Sequence, residues 1–101
     1  MTKENAVNEL KVALSDKQQH NVVNEKTALL KTEKEAIEIA ETILFSIYGT
    51  ENILGQKPYD VYLIDNYWIL SGTLKEEFIG GTFLIIINSK NAEVLKITHG
   101  K

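Results

Sequence analysis

GTFLIIINSKNAEVLKITHGK, residues 81–101, is the stretch that decides the fold. Two apolar runs within it, residues 82–88 and 93–98, have the length and the β-branched content typical of strands. The polar residues between the runs favour a turn, and Asn91 is the one best able to take a left-handed backbone conformation. The stretch therefore predicts a β-hairpin.

A pairing of Asn88 with Glu93 divides the side chains of this hairpin between the two faces of a sheet. One face is wholly apolar and consists of Leu84, Ile86, Leu95 and Ile97. The other face consists of Phe83, Ile85, Ile87, Val94, Lys96 and Thr98. Because a wholly apolar face is unfavourable in water, we expect the first face to be covered by the rest of the fold.

A long helix precedes the strands and begins at the sequence TEKE, which matches the capping-box pattern. In that pattern the hydroxyl of Thr32 accepts a hydrogen bond from the N–H of Glu35, and the carboxylate of Glu35 accepts one from the N–H of Thr32. Apolar residues then recur at helical spacing as far as Gly49, where a left-handed conformation ends the helix. We predict the helix Glu33–Tyr48 and one further helical turn over residues 50–54.

Another hairpin lies between this helix and the stretch quoted first. Residues 59–64 and 67–74 read as strands, and Asp65-Asn66 between them suits a two-residue turn with positive φ angles. In the register set by this turn, Leu63 pairs with Trp68. We expect one face of this hairpin to join the core, namely Tyr59, Val61, Leu63, Trp68, Leu70 and Leu74. The opposite face consists of Asp60, Tyr62, Ile64, Tyr67, Ile69, Ser71 and Thr73.

The first 30 residues differ in character from the rest of the chain. Val7, Leu10 and Leu14 lie at helical spacing, whereas residues 15–26 are polar and typical of a linker. We therefore divide the chain into an N-terminal helical extension and linker, residues 1–30, and an α+β domain, residues 31–101. The predicted fold class is α+β: one long helix packed on a curved four-stranded antiparallel meander, a cystatin-like arrangement, with an extra N-terminal helix.

The composition is that of one globular domain and argues against several classes of partner. The chain has 101 residues, of which 44% are hydrophobic and 25% are charged. All 11 basic residues are lysine and the formal net charge is −3, so we expect no nucleic-acid partner, because phosphate and base contacts draw on arginine and on a positive surface. The chain shows no signal peptide and no run of roughly 20 apolar residues. We therefore expect no membrane partner and a cytoplasmic location.

The sequence offers no catalytic constellation, no metal site and no cofactor motif. Its histidines, His20 and His99, do not belong to a spaced cluster of ligands, and the chain has no cysteine. Carboxylates on the predicted helix follow its polar stripe and are interpreted as solvated: Glu35, Glu38 and Glu41. We expect Trp68 to lie in the core and His99 to end the last strand with its ring at the surface.

One predicted surface is too apolar to face water. It is the outer face of the sheet, formed by Tyr62, Ile64, Tyr67, Ile69, Phe83, Ile85 and Ile87. Three coverings are compatible with the sequence: the N-terminal helix, a second copy of the chain in a homodimer, or a partner protein. Our candidate partner-binding residues combine part of this face with the adjacent turn and loop, namely Tyr62, Ile64, Asp65, Asn66, Tyr67, Ile69, Lys75, Glu76, Glu77 and Phe83.

Five spaced segments carry a family resemblance. They are EAIEIAETILFSIYG, GQKPY, YLIDNYWILSGTL, the glycine pair Gly80-Gly81 followed by TFLIIIN, and EVLKITHGK. In these segments the chain resembles the nuclear-transport-factor-2-like fold immunity proteins of bacterial polymorphic toxin systems. The resemblance runs from about Thr32 to the last residue and leaves the first 30 residues outside.

The resemblance implies a protein that is not an enzyme and that neutralises a cognate bacterial toxin by stoichiometric occlusion. It assigns no individual site residue. Two other interpretations stay open: a small-molecule-binding or enzymatic domain of cystatin-like fold, and an inhibitory module resembling the PepSY domains. A roomy pocket in which His99 meets a carboxylate favours an enzyme, whereas a closed core with an exposed apolar patch favours immunity.

Overall fold

The computed structural model describes residues 1–16, 27–75 and 80–100 of the chain. Within these ranges the helices come first: α1 (Lys3–Ser15), α2 (Glu33–Tyr48) and α3 (Thr50–Leu54). The strands follow: β1 (Asp60–Ile64), β2 (Tyr67–Ser71), β3 (Phe83–Asn88) and β4 (Val94–His99). This order confirms the predicted α+β class with its extra N-terminal helix. The predictions for His20, Glu76 and Glu77 lie outside the described residues.

The capping box at the start of α2 is confirmed. Thr32 Oγ1 accepts a hydrogen bond from the backbone N–H of Glu35 at 3.1 Å, and Glu35 Oε1 accepts one from the N–H of Thr32 at 3.0 Å. The Thr32 side chain, followed by the backbone N–H of Lys31, holds the pKa of the Glu35 carboxyl below its ordinary value, because both donate to the charged form. The helix ends as predicted at Gly49, whose φ of 90° suits a residue without a Cβ.

The strands form an open antiparallel meander in the order β1-β2-β3-β4. The predicted register of the first hairpin is confirmed, since Leu63 pairs with Trp68. Its turn is confirmed too: Asp65 has a φ of 48° and Asn66 a φ of 68°, the positive values that a tight hairpin turn requires.

The second hairpin departs from its prediction. Asn88 donates to the carbonyl of Glu93 at 2.8 Å, as expected, but a bulge then shifts the register, so that Ile86 pairs with Lys96 and Leu95 is skipped. The turn residue with positive φ is Ala92, at 63°, and not Asn91 as predicted. A bulge inserts one extra residue in one strand and therefore changes which face the following residues occupy.

The two faces of β3 are the reverse of those predicted, because the pairing with β2 puts Ile87 opposite Trp68 and Ile85 opposite Leu70 on the inner face. The residues placed on the outer face are buried, with exposed fractions of 1% for Phe83 and 0% for Ile85 and Ile87. Leu84 and Ile86, predicted to be covered, are instead half-exposed on the other face. In β4 the bulge keeps Ile97 on the covered face, now opposite Ile85, and leaves the charged Lys96 outside, so these two residues lie on their predicted sides.

The core lies between α2 and the inner face of the sheet. Its buried apolar residues are Leu30, Ala36, Ala40, Leu44, Ile53, Trp68, Leu70, Phe83, Ile85 and Ile87. Trp68 is buried as predicted, and its Nε1 donates to the carbonyl of Leu30 at 2.9 Å, which holds the segment before α2 against the sheet. Leu63 and Leu74, also predicted as core residues, are 52% and 58% exposed, because they lie at the margin of the layer that the helices cover.

α1 contributes nothing to this core. Thr2 caps it by accepting from the N–H of Asn5 at 3.1 Å, but no residue of the helix is buried. Its apolar stripe is open, with exposed fractions of 41% for Val7, 58% for Leu10 and 77% for Leu14.

Candidate functional site

An apolar patch covers the face of the sheet that points away from α2. We call it the outer patch; its members are Tyr62, Ile64, Tyr67, Ile69, Leu84 and Ile86. The register places Tyr62, Ile69 and Ile86 side by side across three neighbouring strands. Residues opposite each other on one face of a sheet have their Cβ atoms about 4.5–5.5 Å apart, so these side chains form one contiguous surface.

The outer patch is open to solvent. Tyr62 is 60% exposed and Ile64 is 51% exposed, while the four other members are half-buried among their neighbours. α1 does not cover the patch, since its own apolar stripe is exposed as well. A contiguous apolar surface of this kind on a small domain is typical of an interaction site.

The rim of the outer patch is polar. Asp60 lies at one side of the patch, on β1. Lys96 lies at the other side, on β4, where it pairs with Ile86. The Asp65-Asn66 turn borders one end. At that end a recess of about 150 Å³ is lined by Tyr67, Asn88, Glu93, Val94 and Leu95. An apolar centre with a polar rim is the general anatomy of a protein–protein interface.

The structure brings most of the predicted partner-binding residues together. Tyr62, Ile64, Tyr67 and Ile69 share the outer face, and Asp65-Asn66 forms the adjoining turn. Lys75 is half-buried beyond the opposite end of β2 from this turn. Glu76 and Glu77 lie outside the described residues. The placement of Phe83 was wrong, because this residue lies in the core, where its ring meets Tyr59 edge-on with a centroid separation of 5.2 Å.

The sequence reading missed Leu84 and Ile86 as members of the patch. Every residue of the run FLIII is apolar, so β3 shows no alternation that distinguishes its two faces. The only charged residue of the neighbouring strand, Lys96, marks the outer face, but the bulge at Leu95 conceals that relationship in the sequence.

A second hollow, of about 150 Å³, tests the enzymatic interpretation. Its lining consists of Asn52, Gly55, Gln56, Thr73, Leu74, Gly81 and His99. His99 is the titratable side chain among these described residues, and no carboxylate is among them. Among the described residues, therefore, no acid joins His99 at this hollow.

Both ring nitrogens of His99 are engaged in structural contacts. Nδ1 lies 2.7 Å from the carbonyl oxygen of Gly100, which can only accept, so Nδ1 donates. Nε2 lies 3.1 Å from Nε2 of Gln56 and, in the neutral ring, accepts from that amide. The ring also packs on Tyr48, with centroids 4.9 Å apart, and is half-buried; His99 ends β4 as predicted.

No group of three or more His, Cys, Asp or Glu side chains in residues 1–16, 27–75 and 80–100 is arranged to hold a metal ion. Within the same ranges, none of the helices has the length and apolar character needed to cross a membrane.

Comparisons with known proteins agree with the resemblance found in the sequence. Residues 35–101 match the model of the family Imm-NTF2-2, described as NTF2 fold immunity protein. That description names the NTF2 fold, where our prediction used the label cystatin-like. A search of solved structures finds no match.

Two curated proteins of Escherichia coli (strain K12), both uncharacterized, are similar to the chain. YhhH is 31% identical over 74 residues, which are 72% of this chain and 58% of YhhH. YbbC is 38% identical over 73 residues, which are 71% of this chain and 60% of YbbC. The chain thus spans about three fifths of the length of these relatives. With a family model that matches residues 35–101, the chain belongs to the family of NTF2 fold immunity proteins.

Proposed function

We propose that this protein neutralises a cognate bacterial polymorphic toxin by binding it through the outer patch and occluding the toxin's working surface. The observation that carries the proposal is the open apolar face of the sheet, on which Tyr62 and Ile64 are more than half exposed. Membership of an immunity family supports a role in protection, and it also supports a role that requires binding and not turnover.

The residue types of the outer patch suit a protein partner. Tyrosines contribute a large rigid contact area and a polar tip, and aromatic side chains are enriched at the energetic centre of interfaces. Tyr67 belongs both to the patch and to the lining of the recess, so a side chain of the toxin that enters the recess would contact it. For this reason we place Tyr67 at the centre of the contact. We also place Ile69 there, because it lies between Tyr62 and Ile86 in the middle of the patch.

The proposal includes the expectations drawn from the sequence about cellular location and about classes of partner. The complex forms in the cytoplasm and involves neither nucleic acid nor membrane. A chain without arginine and with a net charge of −3 supports a protein partner over a nucleic-acid partner.

A growth-rescue experiment tests the proposal. The chain is co-expressed in a bacterial host with the toxin domain encoded by the gene beside its own. We expect the wild type to restore growth and Tyr67→Asp to fail, because a buried unpaired carboxylate is costly at an apolar contact. The matched control is Ile47→Asp, which places the same charge on an apolar residue that is 53% exposed on α2, the helix on the other side of the sheet.

Folding has to be established for each variant by circular dichroism and thermal melting. If the folded Tyr67→Asp variant rescues growth as well as Ile47→Asp does, the outer patch is not the binding surface. If the wild type gives no rescue from its neighbouring toxin, the immunity function itself is contradicted.

A further inference from the structure

The outer edge of β1 has backbone groups that the sheet does not use. The two-residue turn makes Ile64 and Tyr67 a hydrogen-bonded pair, and such pairs alternate along an antiparallel ladder. The same alternation appears on the other side of β2, where the N–H of Gly72 donates to Phe83 of β3 at 3.2 Å. The N–H and C=O groups of Val61 and Leu63 therefore point away from β2, toward the free edge.

This edge lacks most of the features that commonly protect an edge strand. β4, at the opposite side of the sheet, has a bulge at Leu95 and a lysine at position 96, both of which discourage pairing. β1 reads DVYLI: its one charged residue is Asp60, at its first position, and it contains no lysine, no proline and no bulge. Three consecutive large apolar residues of β1 are more than half exposed, Tyr62 at 60%, Leu63 at 52% and Ile64 at 51%.

We propose that β1 pairs with β1 of a second copy of the chain, in an antiparallel arrangement with Tyr62 facing Tyr62 across a two-fold axis. Full overlap of the two five-residue strands requires this register, since both strands are centred on Tyr62. The free backbone groups fit it: Val61 lies opposite Leu63 of the second copy, and these are the residues whose N–H and C=O point outward.

The side chains are compatible with the same register. Tyr62 and Tyr62 of the second copy form a non-hydrogen-bonded pair, in which the Cα atoms approach to about 4.5 Å and aromatic side chains stabilise a sheet. Asp60 lies opposite Ile64 of the second copy, so the two aspartates are at opposite ends of the pairing and do not repel each other. The result is one continuous eight-stranded sheet, because each copy contributes its four-stranded sheet.

The pairing goes beyond the proposed toxin binding and does not depend on it. It joins the outer patches of two copies at Tyr62, which belongs to both the patch and the edge strand. It concerns the free protein, and its test contains no toxin.

A charge-pair experiment on the full chain tests the register. The association of Tyr62→Lys, of Tyr62→Glu and of their equimolar mixture is measured by sedimentation equilibrium and compared with the wild type. We expect the wild type to be a dimer. Each variant alone should have a dimer dissociation constant at least tenfold higher, because like charges face each other across the pairing. The mixture should form a heterodimer, in which the charges are opposite. Leu10→Lys, which places a charge on the exposed stripe of α1, is the control and leaves the wild-type association unchanged.

A second pair of variants tests the backbone contacts. Leu63→Pro removes an outward N–H without removing a bond to β2, whereas Leu63→Thr keeps that N–H. We expect dissociation for the proline variant and a dimer for the threonine variant, with melting curves as the folding control. The proposal is overturned if the wild type is monomeric up to about 1 mM, if Tyr62→Lys dimerises like the wild type, if the mixture stays monomeric, or if Leu10→Lys abolishes the dimer.

Discussion

The side-chain oxygen of Gln56 accepts a hydrogen bond from the backbone N–H of Phe83 at 2.9 Å, inside the domain. Gln56 is 6% exposed, and its amide nitrogen lies 3.1 Å from Nε2 of His99 and 3.4 Å from the carbonyl oxygen of Asn52. One side chain therefore connects the end of α3 with the first residue of β3 and the last residue of β4. Buried polar groups are tolerated when they are paired in this way.

Replacement of Gln56 should destabilise the fold. In Gln56→Met the side chain keeps its length but leaves the N–H of Phe83 buried without an acceptor, which costs roughly 1–3 kcal/mol in the free energy of unfolding. Urea unfolding monitored by Trp68 fluorescence measures the loss. Leu54→Met, at a site that is 41% exposed, is the control and should change stability by less than about 0.5 kcal/mol. Equal stability of Gln56→Met and wild type would show that this contact is unimportant.

Gly72 should tolerate no side chain while Gln56 keeps its position. A Cβ at position 72 would overlap the Gln56 side chain, including its Oε1 atom. Gly72→Ala is therefore expected to lose roughly 1–3 kcal/mol of stability through overpacking. The double variant Gly72→Ala/Gln56→Gly removes every Gln56 atom that overlaps, so its loss of stability should be smaller than the sum of the losses of the two single variants. Strict additivity in urea unfolding would contradict this steric account.

The capping box should make stability depend on pH through Glu35. The pKa of Glu35 is lowered in the folded chain, so its contribution is present above the ordinary value of 4.5 and is lost as the pH falls through the lowered pKa. Wild type should exceed Glu35→Gln in thermal midpoint at about pH 6, and the difference should be smaller at about pH 3. A difference that is the same at both pH values would contradict the assigned role of the carboxylate.

The segment before α2 should matter more to stability than α1 does. Leu30 is 7% exposed and its carbonyl accepts from Trp68, whereas no residue of α1 is buried. Leu30→Ala should cost roughly 2–5 kcal/mol, while deletion of residues 1–16 should leave the urea midpoint nearly unchanged. A large loss on deletion would show that α1 packs on the domain.

Local interactions explain which parts of the fold were predictable from the sequence. α2 has a capping box at one end and a glycine at the other, so its bounds follow from neighbouring residues. The first hairpin is set by Asp65-Asn66, a turn type that fixes the register of the strands it joins. From this register the sequence predicted correctly that Tyr62, Ile64, Tyr67 and Ile69 lie on the outer face.

Nonlocal interactions explain what was not predictable. β3 is apolar on both faces, so its orientation depends on the pairing with β2 across an 11-residue connection, residues 72–82. The faces of β4 depend on the bulge at Leu95 and on Ala92, which takes a positive φ that its residue type disfavours. Because the orientation of β3 was predicted wrongly, Phe83 was assigned to the candidate site and Leu84 and Ile86 were left out of it.

The central claim is that the outer patch binds a toxin, and isothermal titration of the purified chain with the toxin domain from the neighbouring gene tests it most directly. The account predicts one toxin bound per chain. It also predicts a dissociation constant raised about 30-fold or more by Ile69→Asp, the effect of losing a contact worth about 2 kcal/mol, and unchanged by Ile47→Asp. Absence of binding by the wild type, or equal dissociation constants for the folded Ile69→Asp and Ile47→Asp variants, would contradict it.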